Sequence, residues 1–250
     1  MRLATAIRLA AFIVLILALE VACRFGWISR FAMVPPSAMV MGLVETLSTG
    51  EINGEIGSTF MGIAIAAVSA IGVGFVLGAL LHAVPRVRAC LDPLLATYYS
   101  IPTFVFYPVL LVFFGMNRTP IVIIGFLFAV VAMITSTFNG LDRIPPVFTK
   151  TARVLRLGRV KTTIRIVLPA AAPHLFTGAK LAIVYSFVGV IGSEFILSNS
   201  GLGYEIAFSF NNFDNARMYA LIVLVILVVA AVNALLFAWE QSLLRRWGRW

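Results

Sequence analysis

Along this chain long apolar runs alternate with short polar intervals, and each run approaches the roughly 20 residues a helix needs to cross a bilayer core. The runs predict six transmembrane helices, at about residues 3–23, 58–81, 91–115, 119–139, 178–197 and 218–243. An amphipathic stretch from Arg24 to Gly57 separates the first two and carries Pro35-Pro36 and the acids Glu45, Glu51 and Glu55. The second helix holds Gly62, Gly72, Gly74 and Gly78, and the Gly74-x-x-x-Gly78 spacing permits close helix approach. Pro102 and Pro108 interrupt the third, each removing a backbone donor and kinking it. The stretch from Met1 to Cys23 reads as a first membrane helix rather than a cleaved leader, because Glu20 suits no cleavage site and the remainder is itself polytopic. Residues 1–250 are expected to form a single, all-α polytopic domain.

Composition narrows the class. Hydrophobic residues make up 61% and charged residues 12%, with a mean hydropathy of +1.03. A soluble domain has roughly 45–50% apolar and about 25% charged residues, and disorder needs the opposite balance. Cys23 and Cys90 build neither a disulfide framework nor a metal motif.

The net charge of +9 is unevenly spread. Fourteen basic residues fall on the N-terminal end, the second loop (Arg86, Arg88), the fourth loop and the C-terminal tail (Arg245, Arg246, Arg249). The opposite side holds four: Arg24, Arg30, Arg118 and Arg217. This bias predicts cytoplasmic N and C termini, with Trp247 and Trp250 among the interface anchors, and makes nucleic acid an unneeded explanation. The loop at about 142–169 alone contributes seven bases and one acid.

That loop is the unusual segment. Lys150, Arg153, Arg156 and Arg159 recur every third residue, a spacing that drifts by about 60° per step on a helix and forms one broad cationic face. Phe148, Ala152, Leu155 and Leu157 supply apolar or neutral surface elsewhere. Gly158 is expected to break or bend the helix, before a second short helical stretch leading to Ile166-Val167-Leu168-Pro169. A basic helix lying on anionic lipid and a docking element for a protein partner fit this pattern equally.

Chemistry-bearing motifs are scarce. Of three lysines, Lys150, Lys161 and Lys180, none sits in a phosphate-binding G-x-x-x-x-G-K-[ST] loop, so ATP-driven work requires another subunit. No metal motif or catalytic cluster is visible, no cofactor is expected on this chain, and His82 and His174 suit packing or interfacial roles. Glu194 is an acid deep in or near the outer end of the fifth helix, where ionisable groups face protein or water. It is a candidate for an outer gate or a subunit interface. Glu20 and Glu240, near helix ends, read as interfacial carboxylates. The Pro102 kink is a candidate for shaping a cavity beside Tyr98, Tyr99 and Ser100. The glycine-rich stretch from Ser198 to Tyr204 is expected to form an external ordered turn that meets a receptor or plugs the outer mouth.

The order Ala152-Arg153, Leu157-Gly158, Ile166-x-Leu168-Pro169 and then Pro173 resembles the EAA loop of ATP-binding-cassette (ABC) importer permeases. Glu194 with Ser198-x-Ser200-Gly201-x-Gly203-Tyr204, Pro35-Pro36-Ser37, Ser100-Ile101-Pro102, Pro108 and Phe114-Gly115 resemble the nitrate, sulfonate and taurine branch of that family. The resemblance covers nearly the whole chain. It implies a type I importer permease fold in the plasma (inner) membrane and two copies of the chain forming the path. It further implies two ATPase subunits, carrying ATP and Mg, on the cytoplasmic loops, and an external solute-binding protein delivering a small solute. The loop residues it implicates in coupling are Lys150, Ala152, Arg153, Arg156, Leu157, Gly158, Arg159, Ile166, Leu168 and Pro169. Those it implicates in the path or outer gate are Glu194, Ser198, Ser200, Gly201, Gly203 and Tyr204. The chain departs from the family where Lys150 replaces the initial Glu, Thr151 replaces the first Ala, and Arg156 occupies the glycine position.

Two rival functions are weaker. An ion-coupled secondary transporter needs coupling-ion sites in matching halves, and only one candidate acid and no repeat are visible. A membrane-embedded enzyme needs clustered catalytic groups. Nitrate, sulfonates, bicarbonate and heterocyclic vitamin precursors all stay open as substrates, because no dense positive lining insists on an anion.

Overall fold

The computed structural model describes the backbone of residues 2–29 and 31–247 and the side chains of residues 7, 10–29, 31–158 and 160–242. Arg30, Arg249 and Trp250, and the side chains of Arg2, Arg8, Arg159, Arg245, Arg246 and Trp247, lie outside the described residues. The described chain is helical, without a strand: α1 (Arg2–Arg24), α2 (Pro36–Thr49), α3 (Asn53–Ala83), α4 (Pro85–Thr97), α5 (Tyr107–Phe114), α6 (Thr119–Asp142), α7 (Pro146–Val154), α8 (Arg159–Thr162), α9 (Leu168–Leu197), α10 (Leu202–Asn211) and α11 (Asn215–Trp247). Among the described residues four helical stretches are long and apolar enough to cross a membrane, and the bent pair Pro85–Ser100 and Thr103–Phe114 makes a fifth if it is one span.

The chain folds into two compact units, and α3, α9 and α11 each contribute to both. The first comprises Met1–Ser58 and Glu194–Ala230. Within it α2 starts at Pro36 behind Pro35, which offers no capping side chain. Glu20 of α1 supplies the cap instead: its carboxylate accepts from the Ser37 N–H at 2.9 Å, the Ser37 hydroxyl at 2.7 Å and Arg24 Nε at 2.6 Å. An anionic acceptor at a helix start complements the exposed N–H groups there. Glu20 thus joins two helices, a more specific role than an interfacial carboxylate. The segment after α1 is tied down by Asn215 Nδ2, which donates to the Phe31 carbonyl at 2.8 Å, and by the Tyr219 hydroxyl, which donates to the Ala32 carbonyl at 2.6 Å.

The second unit comprises Thr59–Ser193 and Ala231–Trp250. Its core centres on α6, where Ala129, Val130, Val131, Met133, Ile134 and Phe138 are buried with Ala70 of α3 and Ala182 of α9. Gly74 and Gly78 set the α3–α6 approach. A Cβ on Gly74 would come within 2.7 Å of Met133 Cβ and 2.9 Å of the Val130 carbonyl, and one on Gly78 within 2.7 Å of Thr137 Cβ. The two prolines of the third predicted helix divide their work. Pro102 marks the break, a 94° bend at which Ile101 and Pro102 are extended, Ile101 under the steric pressure that a proline ring puts on its predecessor. Pro108 lies in the first turn of α5, where its missing N–H costs nothing.

Ion pairs close the ends of the second unit. Arg88 of α4 grips Asp142, the last residue of α6, through two bonds of 2.7 and 2.9 Å while stacking 4.7 Å over the Phe138 ring. Lys180 of α9 pairs with Glu240 of α11 at 2.7 Å, so Glu240 joins two helices rather than serving only as an interfacial carboxylate.

Candidate functional site

The segment between α6 and α9 is built by its prolines and one strained turn. Pro145 and Pro146 occupy the N-cap and first position of α7, where a missing N–H is harmless. Ala152 is 3% exposed and fixes the inner face of α7. Val147 (65%), Val154 (81%) and Leu155 (62%) are left open, and Lys150, Arg153 and Arg156 are exposed with them. The helix ends in a Schellman motif: the Leu157 N–H donates to the Ala152 carbonyl and the Arg156 N–H to the Arg153 carbonyl, both at 3.0 Å. Such a turn needs a left-handed residue, and here that residue is Arg156, with φ +47°.

The helix break expected at Gly158 is therefore displaced to Arg156. Gly158 has an ordinary φ, a Cβ on it would meet nothing within 4 Å, and its carbonyl accepts from the N–H of Thr162, the last residue of α8. Arg159 opens α8, but its side chain lies outside the described residues. A π turn, Thr163–Val167, then runs into α9, with the Leu168 N–H reaching back five residues to Thr163. Pro169 sits next, and the widened turn accommodates its absent donor. Phe148, Arg165, Ile166, Pro169 and Ala170 enclose a groove of about 270 Å³. Ile166 and Leu168 are half-buried and Pro169 is exposed.

The second candidate site gathers in the first unit. Glu194 is 5% exposed, and its Oε2 accepts from the Gly203 N–H at 3.1 Å. Glu55 accepts from the Gly201 N–H. The Ser198 hydroxyl donates to the Ser200 carbonyl at 2.8 Å and accepts from the Ser200 N–H at 3.2 Å, closing the turn on itself. Gly201 has φ +100°, and a Cβ there would land on the Glu194 carboxyl group. Tyr204 follows on α10, its ring 5.8 Å from that of Phe208. Two carboxylates thus bind the backbone of one turn, and α10 starts from it. Glu55 was legible only as one acid of an amphipathic stretch, since nothing local marks it as the partner of a glycine 146 residues away. Pro102 belongs to the second unit, together with a Tyr99–Tyr185 stack at 5.4 Å and the Tyr98 hydroxyl donating to the Leu127 carbonyl at 3.0 Å.

Residues 70–249 match the family described as binding-protein-dependent transport system inner membrane component. The chain belongs to this family. As a transport-system membrane component it makes sense of surfaces that water would not tolerate: Val112 is 85% exposed, Phe113 76%, and α11 keeps most of its apolar length uncovered.

Individual relatives agree. The chain is 28% identical over 181 residues to the nitrate import permease protein NrtB of Leptolyngbya laminosa, covering 72% of this chain. It is 33% identical over 191 residues to the bicarbonate transport system permease protein CmpB of Synechococcus elongatus, covering 74% of this chain. In both cases the match spans 65% of the relative's length. Among solved structures, a chain of the MetNI methionine ABC transporter in an inward-facing conformation superposes with a TM-score of 0.68 at 16% identity. That match covers 78% of this chain and 97% of the other. The fold is therefore that of this ABC-transporter chain, and the resemblance drawn from the EAA-like loop and the Ser-x-Ser-Gly-Leu-Gly-Tyr stretch holds at the level of family and branch.

Proposed function

We propose that this chain is the membrane permease of an ABC importer that brings a small solute of the nitrate, bicarbonate or sulfonate kind into the cytoplasm. Six spans, formed by α1, α3, the bent α4–α5 pair, α6, α9 and α11, place both termini in the cytoplasm. Two copies form the path, two ATPase subunits engage the 142–169 loops, and an external solute-binding protein delivers substrate to the side bearing the Ser198–Tyr204 turn. The observation that carries this reading is the uncovered surface of α7 and its following turn. Val147, Val154 and Leu155 stand in the open beside Lys150, Arg153 and Arg156, and among the described residues none of these cations has an ion-pair partner.

Mechanically, closure of the ATPase pair draws the two loops together, and the helices follow from an inward- to an outward-facing arrangement. ATP biases that equilibrium through its different affinity for the two states. Reconstitution tests the reading: uptake of labelled nitrate, bicarbonate or taurine into proteoliposomes should require the ATPase, ATP and the binding protein together. Uptake driven by an ion gradient without ATP overturns it in favour of a secondary transporter.

A further inference from the structure

On the docking reading just given, the outer face of α7 restricts which kind of ATPase surface can receive it. Ala152, 3% exposed, points inward, and Lys150 lies two residues away, about 200° round the helix and so nearly opposite. Its neighbours along that outer face are Val147, three residues before, and Val154, four residues after, exposed by 65% and 81%. The outward stripe of α7 is therefore apolar, charged, apolar, with a single ammonium group between two uncovered valines. Among the described residues Lys150 has no hydrogen-bond or ion-pair partner of its own.

An apolar groove that covers Val147 and Val154 necessarily takes the Lys150 stem with them. A desolvated ammonium is tolerated only beside a counter-charge. We propose that the partner ATPase carries a carboxylate in the floor of its docking groove, that this carboxylate pairs with Lys150, and that Lys150 thereby selects its ATPase against those whose groove is neutral or cationic at that point. Arg153 and Arg156 lie to the side of the stripe and steer the encounter, while Lys150 sets the match.

The test uses the full-length chain in nanodiscs and the subunit that co-purifies with it from its own cells, isolated and identified by its ATP hydrolysis. Zero-length carbodiimide coupling, which joins an amine to a carboxylate in contact, should link Lys150 to an Asp or Glu of that subunit. Lys161 and Lys180, the other two lysines, should form no link to that subunit, Lys180 being paired with Glu240 of its own chain. Lys150→Met should weaken binding by about 30-fold or more, because it strands a buried carboxylate, and Lys150→Glu by more still. Lys150→Arg should bind within several-fold of wild type while losing the cross-link. Reversing the cross-linked carboxylate to Lys should restore binding to Lys150→Glu. If wild type binds the ATPase and Lys150→Met binds equally well, the charge pairing is overturned and the docking reading stands. If wild type binds no ATPase, and α7 is shielded only when phosphatidylglycerol is present in the nanodisc, both are overturned.

Discussion

Glu194 and Gly203, nine residues apart, are joined by a 3.1 Å hydrogen bond from the glycine N–H to the buried carboxylate, and Gly201 lies between them with φ +100°. The bond holds the first turn of α10 against the end of α9, and an anion at a helix N-terminus is the favourable partner for its free N–H groups. Gly201 is required on two counts. A side chain strains its backbone by about 1–3 kcal/mol, and its Cβ occupies the space of the Glu194 carboxyl group. Gly201→Ala should therefore lower thermal stability in detergent by more than the strain alone. Glu194→Ala, which removes a charged acceptor from a buried donor, should cost about 1.5–3 kcal/mol. Equal melting temperatures for wild type and both variants would contradict this account of the turn.

Arg156 yields a prediction of opposite sign. It fills the left-handed position of the α7 Schellman motif, where glycine is the usual occupant. Arg156→Gly should stabilise the helix end by up to about 1 kcal/mol, seen as slower hydrogen exchange at the Leu157 amide, whose acceptor is Ala152. Gly158→Ala, at a residue with an ordinary φ and open space around it, should change stability by less than about 0.5 kcal/mol. A large loss from Gly158→Ala would return the break to Gly158.

Arg156 also shows where sequence reading reaches its limit. The apolar runs that became α3, α6 and α11 were legible because a bilayer core demands about 20 apolar residues whatever the neighbours are. The position of the α7 break was not, because glycine is the local signal for a left-handed turn and Gly158 stood close by, whereas hydrogen bonds closing onto Ala152 and Arg153 select Arg156. Pro102 announced a kink, but a bend of 94° depends on Ile101 and Pro102 both being extended. The start of α9 lies about ten residues before the predicted one, because a π turn and a first-turn position absorb the missing donor at Pro169 and the helix continues through Pro173. In the Ser198–Tyr204 turn, the residues were legible as a motif and Glu194 as a costly acid. The role of Glu55 was not, since it depends on a contact between distant parts of the chain.

Gly74 and Gly78 allow a sharper test of packing than their four-residue spacing alone. A methyl group on Gly74 meets the backbone carbonyl of Val130 at 2.9 Å, and a carbonyl in the middle of α6 cannot swing aside as a long side chain can. Gly74→Ala should cost about 1–3 kcal/mol, the usual range for overpacking. Gly72→Ala, with nothing within 4 Å of its Cβ, should be neutral or slightly stabilising through helix propensity. Unfolding of the two variants in the same detergent separates them. Matching losses would show that α3 does not approach α6 this closely.

Lys180 and Glu240 form the pair whose removal depends most on how it is done. Their side chains are 26% and 19% exposed, and the 2.7 Å contact joins α9 to α11 beside the edge-to-face pair of Phe176 and Trp239. Removing one partner leaves the other charge largely desolvated, so Lys180→Met or Glu240→Met should each cost about 2 kcal/mol, short of the 3–5 kcal/mol of a fully buried pair. The double variant should recover most of that loss, because two apolar chains of similar volume need no counter-charge. The double-mutant cycle is read from unfolding in detergent, with a coupling of about 1 kcal/mol or more expected. Additive losses, with the double variant worse than either single one, would mean that the two residues stabilise their helices independently and that the ion pair does not tie α9 to α11.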